Sequence, residues 1–192
     1  MNGRIQITIA AMAAILVLSG LGAVWLMRPK PAPLPVLGKA PSFLLTDSED
    51  QRFTAEILDG KIWVADFFFT TCPGPCPVMS KNMQRLHQTF AGEANLHLVN
   101  FSVDPENDTP AVLRKYAARF DADTTRWHFL TGPPAQIYGI ATEGFKIGDP
   151  DALIRHSQKF VLIDGTGQIR GYYDGIATAE IDELIGHIRQ LL

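Results

Sequence analysis

Apolar residues in this chain fall into two kinds of pattern, short unbroken runs and sets spaced three or four apart. Ile62-Trp63-Val64-Ala65-Asp66-Phe67-Phe68-Phe69 is a run of strand length, rich in aromatic and β-branched residues, which predicts a central strand covered on both faces. Met79, Met83, Leu86 and Phe90 then recur at helical spacing and predict a helix over 78–90. Residues 96–103 read as the next strand. Asp108-Thr109-Pro110 offers an N-cap and a first-turn proline for a helix reaching about Phe120. Residues 127–130 predict a short strand and 134–141 a short helix. Residues 160–164 and 168–173 predict a hairpin around Gly165-Thr166-Gly167, and 178–192 a closing helix. Upstream, residues 43–45 and 51–53 form a small hairpin across Asp47-Ser48-Glu49-Asp50.

The order β-α-β-α-β, then a hairpin and a helix, predicts an α/β domain with a mixed sheet flanked by helices on both faces. It is the thioredoxin-like plan with one helix and one strand inserted. Residues 142–157 fit no element, and a connection of that length in a compact domain is usually functional. It ends at His156.

The first part of the chain differs from this pattern. Residues 5–27 carry no charge and are dominated by Ile, Ala, Leu, Val and Met, long enough for one N-terminal transmembrane helix. Arg4 flanks it on one side and Arg28 and Lys30 on the other, so the positive-inside rule does not orient it. The stretch is long for a cleavable signal peptide, and no cysteine follows to make a lipoprotein. Residues 29–41 hold five prolines and predict an extended tether. The expected organisation is a membrane anchor over 1–28, the tether over 29–41 and a folded domain over 42–192. With 20 acidic against 17 basic residues, and Arg4, Arg28 and Lys30 all ahead of the domain, the domain is acidic. No segment offers a basic patch for nucleic acid.

The chemistry concentrates at the only two cysteines, in Thr70-Thr71-Cys72-Pro73-Gly74-Pro75-Cys76-Pro77. They lie between the first long strand and its helix, where the positive end of the helix dipole favours thiolate. Three prolines and a glycine around them leave little room for inert packing. Two readings stay open, thiol redox chemistry and a soft metal ion. Dithiol oxidoreductases prefer two residues between the cysteines, and here there are three, although a Cys72–Cys76 disulfide remains within reach if Cys76 occupies the first helical turn. On the thioredoxin-like plan, the segment before the hairpin packs beside the cysteines and carries a cis-proline in dithiol oxidoreductases. Here it reads Arg155-His156-Ser157-Gln158-Lys159. An imidazole with two thiolates suits Cu(I). Zinc with a water as fourth ligand fits less well, because no nearby base stands out for hydrolysis.

These residues resemble the Sco/SenC family of thioredoxin-like copper chaperones for cytochrome c oxidase assembly. The resemblance rests on Phe69-Thr70-Thr71-Cys72-Pro73-Gly74-Pro75-Cys76-Pro77, on Ser102-Val103-Asp104-Pro105-Glu106-Asn107-Asp108-Thr109-Pro110, and on His156 four residues before Phe160-Val161-Leu162-Ile163-Asp164. It implies a copper site, for Cu(I), Cu(II) or both, at Cys72, Cys76 and His156. It also implies a redox-active Cys72–Cys76 pair. The implied partners are the copper-bearing subunit of cytochrome c oxidase and other periplasmic copper carriers. A single-pass anchor in a bacterial inner membrane, with the domain in the periplasm, matches residues 5–27, since no Arg/Ser-rich transit peptide precedes them. The chain departs from the family at Gly74, where an acidic residue is common, and at Arg155, where Asp often precedes the histidine. The alternative is a periplasmic thiol–disulfide oxidoreductase tuned by His156. A peroxiredoxin-like peroxidase is disfavoured because the residues flanking Thr71-Cys72 do not match that chemistry.

The other soft or acidic residues have plainer readings. His87 and His187 are expected to be solvated, and His97 and His128 to face solvent or make a structural hydrogen bond. Met79 is expected in the core rather than as a thioether ligand. Asp104 to Pro110 is explained as a turn and cap, with a supporting or docking role near the cysteines as the alternative, and Asp149 and Asp151 as solvated loop carboxylates that could otherwise orient the metal or meet a partner.

Overall fold

The computed structural model describes residues 32–147 and 158–192, together with Met12 and Ser19. Among the described residues, β1 (Gly38–Lys39), β2 (Leu44–Asp47), β3 (Arg52–Thr54), β4 (Ile62–Phe68), β5 (Leu96–Ser102), β6 (Trp127–Thr131), β7 (Lys159–Ile163) and β8 (Gln168–Asp174) form one sheet in the order β1-β8-β7-β4-β5-β6-β2-β3. Its centre is β4 (Ile62–Phe68) beside β5 (Leu96–Ser102), paired in parallel from Ile62↔Leu96 to Phe68↔Ser102. β6 (Trp127–Thr131) continues the parallel side, and the hairpin β7 (Lys159–Ile163) and β8 (Gln168–Asp174) adds antiparallel strands on the other. β2 (Leu44–Asp47) and β3 (Arg52–Thr54) form the expected small hairpin at the β6 edge. Every residue of β4 and β5 is buried, as strands covered on both faces require.

The two faces carry separate cores. Val64, Phe68, Leu98, Phe129 and Leu162 pack under three helices, α1 (Cys76–Thr89), α2 (Pro110–Ala118) and α4 (Thr178–Leu191). Met79, Met83 and Leu86 of α1 are fully buried there, the face that the helical spacing marks. Burial of side chains of this size contributes roughly 1.5–3 kcal/mol each. On the other face, Trp63, Phe67, Phe101 and Val161 meet α3 (Pro134–Gly139) and the π-turn Ile140–Gly144 that extends it.

Three features differ from the sequence expectation. The segment expected as a free tether joins the sheet: Leu34 is buried, and β1 (Gly38–Lys39) pairs with β8. Arg170 of β8 hydrogen-bonds the Leu34 carbonyl, so this proline-rich strand docks on the sheet edge. Leu34–Leu192 is accordingly one compact unit. Secondly, Asp108 does not cap α2. Thr109 holds the N-cap position without a side-chain cap, and Pro110 opens the helix. Thirdly, the connection expected to start at residue 142 begins inside the π-turn, because Phe145 donates to the Ile140 carbonyl and buries its ring among Trp63, Phe67 and Phe101. The expected transmembrane segment lies outside the described residues, apart from Met12 and Ser19. Among the described residues no helix is long and apolar enough to cross a membrane.

Candidate thiol and metal site

The site forms where β4 leaves the sheet. Val103 donates to the Phe68 carbonyl at 2.8 Å, which carries the parallel pairing one step past β4. The chain then turns through residues 70–75, with Cys72 donating to the Phe69 carbonyl at 3.3 Å. Val78 and Met79 both donate to the Pro75 carbonyl, so α1 starts tightly, and Pro77 stands in its first turn where no intrahelical N–H is needed. Cys76 therefore lies in the helix itself. Thr71, Pro73, Gly74, Pro77 and Val78 are exposed, whereas Cys72 is 8% exposed and Cys76 wholly buried. No disulfide joins Cys72 and Cys76.

Burial pushes the Cys76 thiol far up, and a hydrogen bond with Cys72 adds to the effect. A backbone hydrogen bond from Phe69 opposes it, while the charges of Cys72 and Asp66 reinforce it. The thiolate expected from the helix dipole is thus overridden at Cys76. Desolvation inside the first turn outweighs the dipole that favours charge there.

A buried carboxyl lies on the same face of the sheet. Asp66 has no exposure, and neither of its oxygens makes a hydrogen bond. Asn100 is its register partner on β5; the Asn100 amide nitrogen is also unpartnered, and its oxygen accepts from Trp127 Nε1 at 2.5 Å. Burial raises the Asp66 carboxyl well above the usual range, and Asn100 offsets this only in part. Below its ordinary pKa the acid is neutral both folded and unfolded. As pH rises the unfolded chain releases the proton first, so this group lowers stability from about pH 4 upward, until its own raised pKa is reached. Asp66→Asn is expected to gain stability over the wild-type chain by up to about 1.4 kcal/mol per pH unit in that window. Urea unfolding at pH 4 and pH 7 checks this; a difference that does not grow with pH would contradict it.

The remaining candidates separate cleanly. Met79 is in the core, as expected. His97 and His128 are each 8% exposed, and His97 Nδ1 lies 2.9 Å from His128 Nε2, so the structural hydrogen bond is realised between the two imidazoles. His187 is half-buried against the Tyr173 hydroxyl at 2.8 Å, and half-buried His87 packs by Trp127, so neither is freely solvated. His156, Arg155, Asp149 and Asp151 lie outside the described residues. Among the described residues no three of His, Cys, Asp and Glu gather as a metal-binding group. Sequence reasoning missed Asp66 and the buried Ser80–Tyr116 hydroxyl pair, 2.8 Å apart, and read Asp108 first as a cap. The lone acid inside the apolar run of β4 was the available signal for the first.

The SCO1/SenC family model matches residues 36–192. The chain belongs to the SCO1/SenC family. A SCO1 protein homolog from Bacillus subtilis strain 168 is 31% identical over 153 residues, 77% of this chain and 79% of that one. The structure of BsSco, described as a Sco-family cytochrome c oxidase assembly protein with a disulfide switch, is 30% identical. It covers 83% of this chain and 96% of its own at a TM-score of 0.72. Yeast Sco1 with copper bound is 25% identical, with 83% and 97% covered and a TM-score of 0.63. The mixed sheet and its flanking helices are therefore a Sco-like, thioredoxin-like fold. Within that fold, Cys72-Pro73-Gly74-Pro75-Cys76 is the turn that seats both thiols at the end of the central strand.

Proposed function

We propose that this Sco-family chain is a membrane-anchored copper chaperone that holds copper through Cys72, Cys76 and His156 and passes it to the binuclear copper centre of cytochrome c oxidase. The observation that carries the reading is the pair of cysteines at the strand-to-helix turn, their side chains within hydrogen-bond reach of each other. Two soft sulfur donors on a rigid turn favour Cu(I), and an imidazole completes a trigonal set. Copper binding to a relative, yeast Sco1, and the oxidase-assembly description of BsSco support it. The apolar, uncharged stretch over residues 5–27 supports an inner-membrane anchor with the domain in the periplasm.

Binding requires both thiols to lose their protons, and the raised Cys76 thiol makes that the costly part of loading. A Cys72–Cys76 disulfide removes both donors, so the redox state of the pair decides whether the site accepts metal. The disulfide switch in BsSco favours a second activity on the same pair, reduction of the oxidase centre's thiols before copper arrives.

His156→Ala separates the chaperone from a pure thiol–disulfide oxidoreductase. The variant is expected to keep its thiol reactivity, lose Cu(II) binding, and retain a weaker two-thiolate Cu(I) site, because Cu(II) depends more on nitrogen donors. Cu(II) absorbance and metal analysis on the full chain provide the check, with oxidase assembly in cells as the functional readout. Wild-type Cu(II) spectra and wild-type oxidase activity in the variant would hand the lead to the oxidoreductase.

A further inference from the structure

Asp108 has no solvent exposure, yet it neither caps α2 nor pairs with a basic residue in an ion bridge among the described residues. Its carboxylate instead accepts three hydrogen bonds. The Thr70 amide donates to Oδ2 at 3.1 Å, the Thr70 hydroxyl to Oδ1 at 2.5 Å, and the Ser102 hydroxyl to Oδ2 at 2.6 Å. Ser102 Oγ in turn accepts from the Asp104 amide at 3.1 Å, and the Asp108 amide donates to the Asp104 carbonyl at 2.9 Å. The loop after β5 is thereby closed on itself and clamped to the turn after β4. Thr70 is two residues before Cys72, whose N–H donates to the Phe69 carbonyl.

We infer that Asp108 is a positioning residue for the thiol pair: its carboxylate fixes Thr70, and through Thr70 the place of Cys72 relative to Cys76. This rests on the proposed function for its biological meaning, although the geometry concerns the thiols alone. Cys76 is held by the helix and wholly buried, so the separation of the two sulfurs is set by where the turn puts Cys72. Three hydrogen bonds to one buried carboxylate are charge-assisted and directional, and removing their acceptor leaves the Thr70 amide without that partner.

The test uses the full chain and reads the equilibrium in which Cys72 and Cys76 reduce oxidised glutathione, forming one intramolecular disulfide and two molecules of reduced glutathione. A pre-set pair has a high effective concentration of one thiol for the other, which favours the disulfide. Asp108→Ala is expected to shift that equilibrium at least tenfold toward the dithiol, about 30 mV for a two-electron couple. It should also alter the electron paramagnetic resonance signature of added Cu(II). Asp108→Asn, which keeps one oxygen acceptor for Thr70, is expected to recover most of the shift. Should Asp108→Ala fail to fold, Thr70→Val and Ser102→Ala each remove one of the three bonds and are expected to shift the equilibrium in the same direction. A purely structural role would lower the unfolding temperature and leave the equilibrium alone. Thiol equilibria within twofold of wild type in all the folded variants would overturn the assignment. A wild-type chain that takes up no copper, while Asp108→Ala still moves the thiol equilibrium, would refute the chaperone reading and uphold Asp108.

Discussion

Cys72→Ser/Cys76→Ser is expected to take copper uptake by the reduced chain from about one ion to none in a titration against a competing chelator, because serine oxygens are hard donors with little affinity for Cu(I). The Cys72–Cys76 disulfide of the unsubstituted chain is expected to behave the same way, since its sulfurs are no longer thiolates. Agreement between the two forms is the informative result, because they differ in everything except the missing thiolates. The serine variant places a hydroxyl where Cys76 is fully buried, which costs about 1–3 kcal/mol if the hydroxyl finds no partner. The disulfide form carries no such cost, so it controls for a loss of binding that comes from a loosened fold. Near-ultraviolet circular dichroism on both forms completes the comparison. One copper bound by either form would remove Cys72 and Cys76 from the site.

Why this site was visible in the sequence follows from its construction. The unbroken apolar run of β4 and the 3.6-residue pattern of α1 are strong local signals, and the cysteine turn is the only covalent path between them, so its position at the sheet's end follows. The parallel pairing of β4 with β5 follows from the helix between them, which a crossover connection requires. Sequence pattern is weaker where a residue's role depends on what lies across the fold. Asp108 stands in a good capping context, yet its side chain answers to Thr70, 38 positions away, and no local rule contains that pairing. The same reason hides the docking of Leu34 and β1. A proline-rich segment reads as a free linker unless the β8 edge that receives it is known. The thiolate expectation at Cys76 failed on burial, because the dipole is a local property and desolvation a tertiary one.

The two cores place polar groups of opposite pH sense on opposite faces of the sheet. Asp66, on the face that carries α1, favours low pH. The imidazole pair, on the face that carries α3, favours high pH. The stability of the chain across the acidic range is therefore a contest between them, and variants at single positions separate the two contributions.

The histidine side of that contest rests on one buried pair. His128 packs at a tilt against Phe53 with ring centroids 4.6 Å apart, lies nearly parallel to His97 at 5.3 Å, and shares the 2.9 Å hydrogen bond with it. Burial pushes its pKa down to about 3, the charge of His97 adds to this, and Asp123 opposes it. His97 is lowered as well, first by burial and then by Lys61 and Arg126, with a backbone hydrogen bond at Ala94 opposing. In the unfolded chain both titrate near 6.5. Between that value and about 3 the unfolded chain binds the His128 proton and the folded chain does not. The stabilisation is therefore complete above pH 6.5 and is lost as pH falls. The displacement corresponds to roughly 3–6 kcal/mol over the full window, a large share of the 5–15 kcal/mol typical of a domain. His128→Gln keeps a neutral hydrogen-bonding side chain that does not titrate. It is expected to be less stable than wild type at pH 7.5, where the imidazole packing is lost, and to close most of that gap by pH 4. Urea unfolding of both chains at pH 7.5, 5.5 and 4 reads this directly, and Asp66, present in both, cancels from the difference. A gap that stays constant from pH 7.5 to 4 would show that His128 takes up its proton in the folded chain as readily as in the unfolded one.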